Sequence, residues 1–248
     1  MKFVLLLLVT LTNAQILVAQ TFQVKLDTVT WFDKARNRPV PIAFYTPVSK
    51  TKVKHQKVVI FNHGYGENLG GANLAYSYLN NYLASEGYFV ASIQHELPTD
   101  SLLPTTGKPQ IVRRSNWERG AASILFTLNE LKKRYPDLDY KQLILIGHSN
   151  GGDMAALFAH KYPDLISKLI TLDNRRMALP RTAKPVIYSI RSSDQPADEN
   201  VLPTPEEQKK YGITLIKLPD TIHNDMDDSG NERQRTEITG YVRSFLRK

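Results

Sequence analysis

The stretch Leu143-Ile144-Leu145-Ile146-Gly147-His148-Ser149-Asn150-Gly151-Gly152 constrains the fold more than any other, because an apolar run stops abruptly at Gly-x-Ser-x-Gly and small residues follow. The run is short and bounded by glycine, so it reads as a buried strand, and the Ala-rich segment after it reads as a closely packed helix. Joining the two within so few residues needs a sharp turn, with Ser149 at its tip in strained backbone and its hydroxyl lifted clear of the sheet. Gly147 and Gly151 are required because side chains there would collide with the neighbouring strand and helix. The helix N-terminus and the backbone N–H of Asn150 place partial positive charge where an oxyanion would form. These residue types in this order suit a nucleophilic serine.

Strand and helix patterns alternate along the rest of the chain. Thr21 to Thr30 and Pro39 to Thr46 are β-rich runs joined by a polar turn, and they predict an N-terminal antiparallel hairpin. Val58 to Phe61, Tyr88 to Ile93, Leu165 to Leu172, Pro185 to Ile190 and Gly212 to Leu218 are further strands. Apolar faces at helical spacing fall in Asn73 to Ser85, after Ser115-x-x-Glu118, in Asp153 to Tyr162 and from about Asn231 onward. The alternation predicts a mostly parallel central sheet with helices on both faces, and ligands then belong at the carboxyl ends of the strands. A Pro-rich loop of about 20 residues after His95-Glu96 is expected to wall the pocket. His95 itself is expected to be a satisfied polar residue at a strand end.

With the elbow, the strand order and the His63-Gly64 pair on the page, the chain resembles the α/β-hydrolase superfamily over residues 21–248, taken as one domain. Its lidless esterase branch, around dienelactone hydrolases, chlorophyllases and platelet-activating-factor acetylhydrolases, is the most similar. Only about a dozen residues separate the strand ending at Leu172 from the next, which leaves no room for a helical lid. The resemblance implies a catalytic Ser149, Asp194 and His223 in the chain order of that superfamily, each just past a strand. It places the acid at Asp194, four residues past Ile190, with Asp198 as the alternative and Asp173 as a position used by a minority of relatives. It further implies an oxyanion hole from the backbone N–H groups of Tyr65 and Asn150, supported by His63, Gly64, Gly147 and Gly151. Dienelactone hydrolases carry Cys where this chain has Ser149, so their substrate class is not carried over.

The expected activity is that of an exported serine hydrolase cleaving a carboxylic ester through an acyl-enzyme on Ser149. An amidase or peptidase with the same triad, or a binding protein that kept the fold, are the rivals. The expected substrate is a small-molecule ester, and Arg175, Arg176 and Arg191 after strands at the active face suggest an anionic one. Residues 1–20 have the short positive start and apolar stretch of a signal peptide, which predicts a periplasmic or secreted protein without stable membrane insertion after cleavage. The formal charge of +8 suggests no nucleic-acid partner, because the 32 Lys and Arg residues are scattered without interleaved aromatics. Absence of Cys removes thiol catalysis, disulfides and Cys-based metal sites. Asp225, Asp227 and Asp228 lack a full set of oxygen ligands and precede a helix, so neither metal nor cofactor is expected.

Overall fold

The computed structural model describes residues 21–50, 53 and 55–248, so the segment 1–20 expected to be a signal peptide lies outside the described residues. In chain order these form β1 (Gln23–Asp33), β2 (Arg38–Val48), β3 (Lys57–Asn62), α1 (Ser77–Ser85), β4 (Phe89–Ile93), α2 (Pro109–Val112), α3 (Arg114–Arg134), β5 (Asp139–His148) and α4 (Ser149–Lys161). There follow β6 (Lys168–Leu172), β7 (Val186–Arg191), α5 (Pro205–Tyr211), β8 (Thr214–Lys217) and α6 (Glu232–Arg247). All eight strands join one sheet in the order β1-β2-β4-β3-β5-β6-β7-β8. The β1–β2 hairpin and the β2–β4 pair are antiparallel, and every other pair is parallel. No helix among the described residues is long and apolar enough to cross a membrane.

Consecutive apolar residues in the central strands follow from burial on both faces. In β3, Val58 and Ile60 join one core while Val59 and Phe61 join the other, and in β5 Leu143 and Leu145 oppose Ile144 and Ile146. The first core is closed by Trp117, Ile124 and Leu128 of α3 and by Ala155 and Phe158 of α4. The second is closed by Leu79 and Leu83 of α1 and by Ile238, Val242 and Phe245 of α6. Each fully buried Leu, Ile or Phe contributes about 1.5–3 kcal/mol relative to exposure. These two layers therefore fix the sheet against which the site is built.

Two helical details differ from the sequence pattern. The Ser115-x-x-Glu118 pair caps nothing, because the chain is already helical at α2 and α3 begins at Arg114; Glu118 instead pairs with Arg114 and Lys161. Helix α5 was not expected, although Thr204 and Glu207 form a capping box around Pro205 at its start. The turn from β6 to β7 carries no helix, in keeping with a lidless fold. The long loop after β4 is held down rather than free. Arg38 grips Asp100 through both guanidinium nitrogens at 2.7 and 2.6 Å, and the N–H of Leu103 donates to the Tyr65 hydroxyl at 3.0 Å.

The elbow depends on close backbone approach. A Cβ on Gly151 would stand 2.3 Å from the carbonyl oxygens of Asn62 and His63, and one on Gly147 would stand 2.5 Å from the carbonyl oxygen of Gly151. Backbone oxygens cannot swing aside as a flexible side chain can. Gly151→Ala should therefore destabilise the protein by about 3 kcal/mol or more, well beyond the ~0.4–1 kcal/mol that a stiffer unfolded chain returns. Gly240, in α6, has open space where its Cβ would lie. Gly240→Ala should stabilise by about 0.5–1 kcal/mol, and urea denaturation of the two variants measures both signs.

Candidate active site

Ser149 sits at the junction of β5 and α4 with φ of 50°, a left-handed conformation that a non-glycine residue adopts only under local constraint. Its neighbours supply that constraint through the glycine contacts described above. His223 begins a 3-10 turn beyond β8, and its Nε2 lies 2.9 Å from Ser149 Oγ. On the other side of the ring, Nδ1 lies 2.5 Å from Oδ2 of Asp173. Asp173 offers only acceptors, so Nδ1 carries the proton and Nε2 is left to accept from the serine hydroxyl.

Asp173 follows β6, the strand next to β5, with φ of 53°. Its carboxylate is wholly buried and fully engaged: Oδ2 also accepts from Ser192 Oγ at 2.7 Å, while Oδ1 accepts from the Ser192 N–H at 3.0 Å and pairs with Arg191 at 2.8 Å. Burial by itself would raise this carboxyl, but the hydrogen bond from His223, the charge of Arg191 and the Ser192 bonds together hold it below its usual value. It therefore stays ionised beside the imidazole.

The loop after β3 faces the serine from the opposite side. His63 Nδ1 donates to the Gly64 carbonyl at 2.5 Å, and its Nε2 accepts the His95 N–H at 2.9 Å, which fixes the His-Gly turn. The Gly64 N–H donates to the Tyr76 hydroxyl, and that hydroxyl donates to Nδ1 of His148 at 2.6 Å. The His148 ring lies 4.6 Å from that of His223, and burial, followed by the charge of His223, pushes it down to about 3. His148 thus remains neutral when its neighbour takes a proton. Tyr65 and Asn150 line one cavity with Ser149, and the Asn150 N–H belongs to the first turn of α4, where no intrahelical acceptor exists.

Comparison with known proteins bears on the fold that carries these residues. The family model for serine aminopeptidases of the S33 class matches residues 53–172, from the approach to β3 through the elbow to the end of β6. The chain has the α/β-hydrolase fold. No curated protein matches it in sequence. Among solved structures, a bacterial heroin esterase superposes with a TM-score of 0.64 at 18% identity, covering 91% of this chain and 86% of that one. A fungal esterase from Rhizomucor miehei gives 0.63 at 13% identity, covering 90% and 82%. A serine hydrolase of Xanthomonas campestris described as lacking a lid gives 0.58 at 16%, covering 90% and 94%. At such identities the likeness speaks for the fold alone.

The structure departs from the sequence expectation at the acid. Asp194 does not reach the imidazole: its Oδ1 accepts the backbone N–H of His223 at 2.7 Å. The turn carrying it is laced to the His223 loop by the Ser193 N–H donating to the Thr221 carbonyl, so Asp194 holds the loop and not the ring. Asp198 is further away in function as well as in chain, since it pairs with Arg176 and accepts from Gln110 at 2.9 Å. Asp173 is the acid because its left-handed backbone brings the carboxylate onto Nδ1 of His223, whereas the Asp194 carboxylate is taken up by the His223 N–H. His95 is buried against Asn62 at 2.9 Å, and burial together with neighbouring His63 and Arg38 lowers it well below the usual imidazole value. The three acids before α6 are structural, with Asp228 accepting the Ser77 and Tyr78 N–H groups at the start of α1, Asp225 accepting from Gln234 and Asp227 accepting from Ser229.

Side chains that hold Asn150 gave no local sequence signal. Its Oδ1 accepts from Trp117 Nε1, and its Nδ2 donates to Glu96 and Asn116, all at 2.9 Å. Two cavities meet at Ser149. One of about 380 Å³ is bounded by His148, His223, Asn224 and Asp227, and one of about 110 Å³ by Asp153, Arg113, Arg175 and Arg176. Clefts of about 540 and 620 Å³ lie over the 191–198 turn and the β1–β2 hairpin, and neither includes Ser149.

Burial raises Asp153 to about 6 against the pull of the Met177, Arg176 and Arg175 amides. A carboxyl raised in the folded state costs stability once ionised. That cost is full above about pH 6, fades as pH falls toward the ordinary value of 3.8, and is absent below it. Asp153→Asn keeps an oxygen for the amides and removes the charge. It should gain stability of the order of 2–3 kcal/mol over wild type at pH 8, with the gain vanishing near pH 4 in denaturant titrations.

Proposed function

We propose that this α/β hydrolase is a serine carboxylesterase working through an acyl-enzyme. The observation that carries this reading is the continuous contact from Ser149 Oγ through the His223 ring to the buried Asp173 carboxylate. In the first half-reaction Ser149 Oγ attacks the ester carbonyl while His223 Nε2 takes its proton. Asp173 holds the ring in the required tautomer and stabilises its charged form. The oxyanion is held by the N–H groups of Tyr65 and Asn150. The tetrahedral intermediate collapses as His223 returns the proton to the leaving oxygen, which departs as alcohol. Water then attacks the acyl carbonyl as His223 takes its proton, and the second intermediate breaks its bond to Ser149 Oγ as His223 returns that proton to the serine, releasing the acid.

His223 must touch the leaving atom, so the alcohol occupies the larger cavity that His223 lines, and the acyl group occupies the smaller one. This division bears on the aminopeptidase name attached to the matching family model. An aminopeptidase carries a free ammonium on its acyl half, and the small cavity meets that half with three arginines. Its one acid, Asp153, has Oδ1 engaged by the Arg176 and Met177 amides. Ester hydrolysis is therefore favoured over release of N-terminal residues. Export joins the proposal through the signal-peptide reading of residues 1–20 and is tested by sequencing the N-terminus of protein recovered outside the cytoplasm.

Labelling with a fluorophosphonate tests the nucleophile, and p-nitrophenyl esters set beside the matching anilides test ester against amide. Ser149→Ala should abolish labelling and lower ester turnover by about a thousandfold or more without unfolding the protein. Asp173→Asn should also cost about a thousandfold or more while leaving the fold intact, because the imidazole loses tautomer control. Asp194→Asn retains a carbonyl oxygen for the His223 amide and should stay within about tenfold of wild type. Collapse of Asp194→Asn beside a healthy Asp173→Asn would reverse the assignment of the acid.

A further inference from the structure

The small cavity at Ser149 is the most unevenly charged space in contact with the nucleophile. Arg113 enters it from between α2 and α3, and Arg175 and Arg176 enter from the loop after β6. Arg176 is paired with Asp198, yet its Nε is buried without a partner. Arg113 uses Nε on the Pro104 carbonyl at 2.9 Å and pairs with no carboxylate among the described residues. The Arg175 guanidinium makes neither hydrogen bond nor ion pair among the described residues, and it is half-buried. Arg191 takes no part, being turned inward to Asp173 and the Asn174 carbonyl.

We propose that this cavity binds a carboxylate at the far end of the acyl group, so that the preferred substrates are monoesters of short dicarboxylic acids. The inference rests on the serine-esterase reading above, which assigns the cavity to the acyl half. Guanidinium groups present planar forks that match a carboxylate, and two of the three here have no anionic partner. Burial first, then the nearby charge of Arg176, lowers both Arg113 and Arg175 from their usual value, with Asp153 and Asp198 opposing the shift. A volume of about 110 Å³ is small beside the other cavity at Ser149, about 380 Å³, and suits a malonyl- or succinyl-sized group better than a long fatty chain. Asp153 and Asp198 do not cancel the charge of Arg113, Arg175 and Arg176, and Asp173, which also acts on Arg175, is paired with Arg191 and His223.

Monoethyl succinate and ethyl levulinate test this directly, since the second replaces the carboxylate by a methyl ketone of nearly the same shape. Ethyl esters avoid the self-catalysed loss of activated succinate esters, and released acid is followed by titration at constant pH. The enzyme is first labelled with an uncharged fluorophosphonate. Failure to label at Ser149 overturns the serine-esterase reading and the proposal with it. With labelling intact, kcat/KM for monoethyl succinate should exceed that for ethyl levulinate by about tenfold or more. The preference should survive in ~1 M salt, where the Debye length of about 3 Å abolishes steering by the basic surface but not contact inside a cavity. Arg175→Gln and, independently, Arg113→Gln should bring the ratio toward one in protein that still labels, while Lys25→Gln in β1 should not. A labelled enzyme with a ratio near one, a ratio that disappears in salt, or no turnover of either ester overturns the proposal while leaving the reactive serine standing.

Discussion

A carboxylate with no access to water must be compensated on the spot, and the Asp173 side chain is the point on which the site depends. Its two oxygens draw together the end of β6, the end of β7 through Ser192 and Arg191, and the loop beyond β8 through His223. Removing any one donor would leave a buried charge short of a partner, which costs several kcal/mol rather than the value of a single hydrogen bond. The same contacts that hold the imidazole therefore hold three strand ends in register. Stability and chemistry draw on one set of bonds here.

What was legible in the sequence was what local pattern determines. Ser149 is marked by glycines whose missing side chains let backbone approach backbone, whereas Tyr65 is reached only through the resemblance to the α/β-hydrolase superfamily. His223 follows from its place beyond the last strand. The acid was not legible in that way, because Asp173 and Asp194 both follow strands at the same edge of the sheet. Which of them reaches the ring is decided by the left-handed backbone at Asp173 and by the capture of the Asp194 carboxylate by the His223 amide. Both are consequences of chain segments far apart in sequence.

Arg113 shows the same limit. In the sequence it is one of two adjacent arginines before an amphipathic helix, and nothing distinguishes it from a solvated residue. It lies in the serine cavity only because the loop after β4 is pinned by Asp100 and Leu103 and then turns into α2. Arg175 and Arg176 could be placed near the active face because they directly follow a strand. Helix α5, by contrast, was announced by Thr204, Pro205 and Glu207, so its absence from the expected pattern reflects a signal overlooked rather than one missing.

The fixed side chain of Asn150 has a consequence for how the enzyme meets its substrate. Three neighbours occupy its polar atoms, and it lies in the first turn of the helix that begins at Ser149. No lid has to close and no residue at that turn has to find its rotamer when an ester arrives. The conformational entropy of these groups is lost once, when the chain folds, and is not lost again at each encounter.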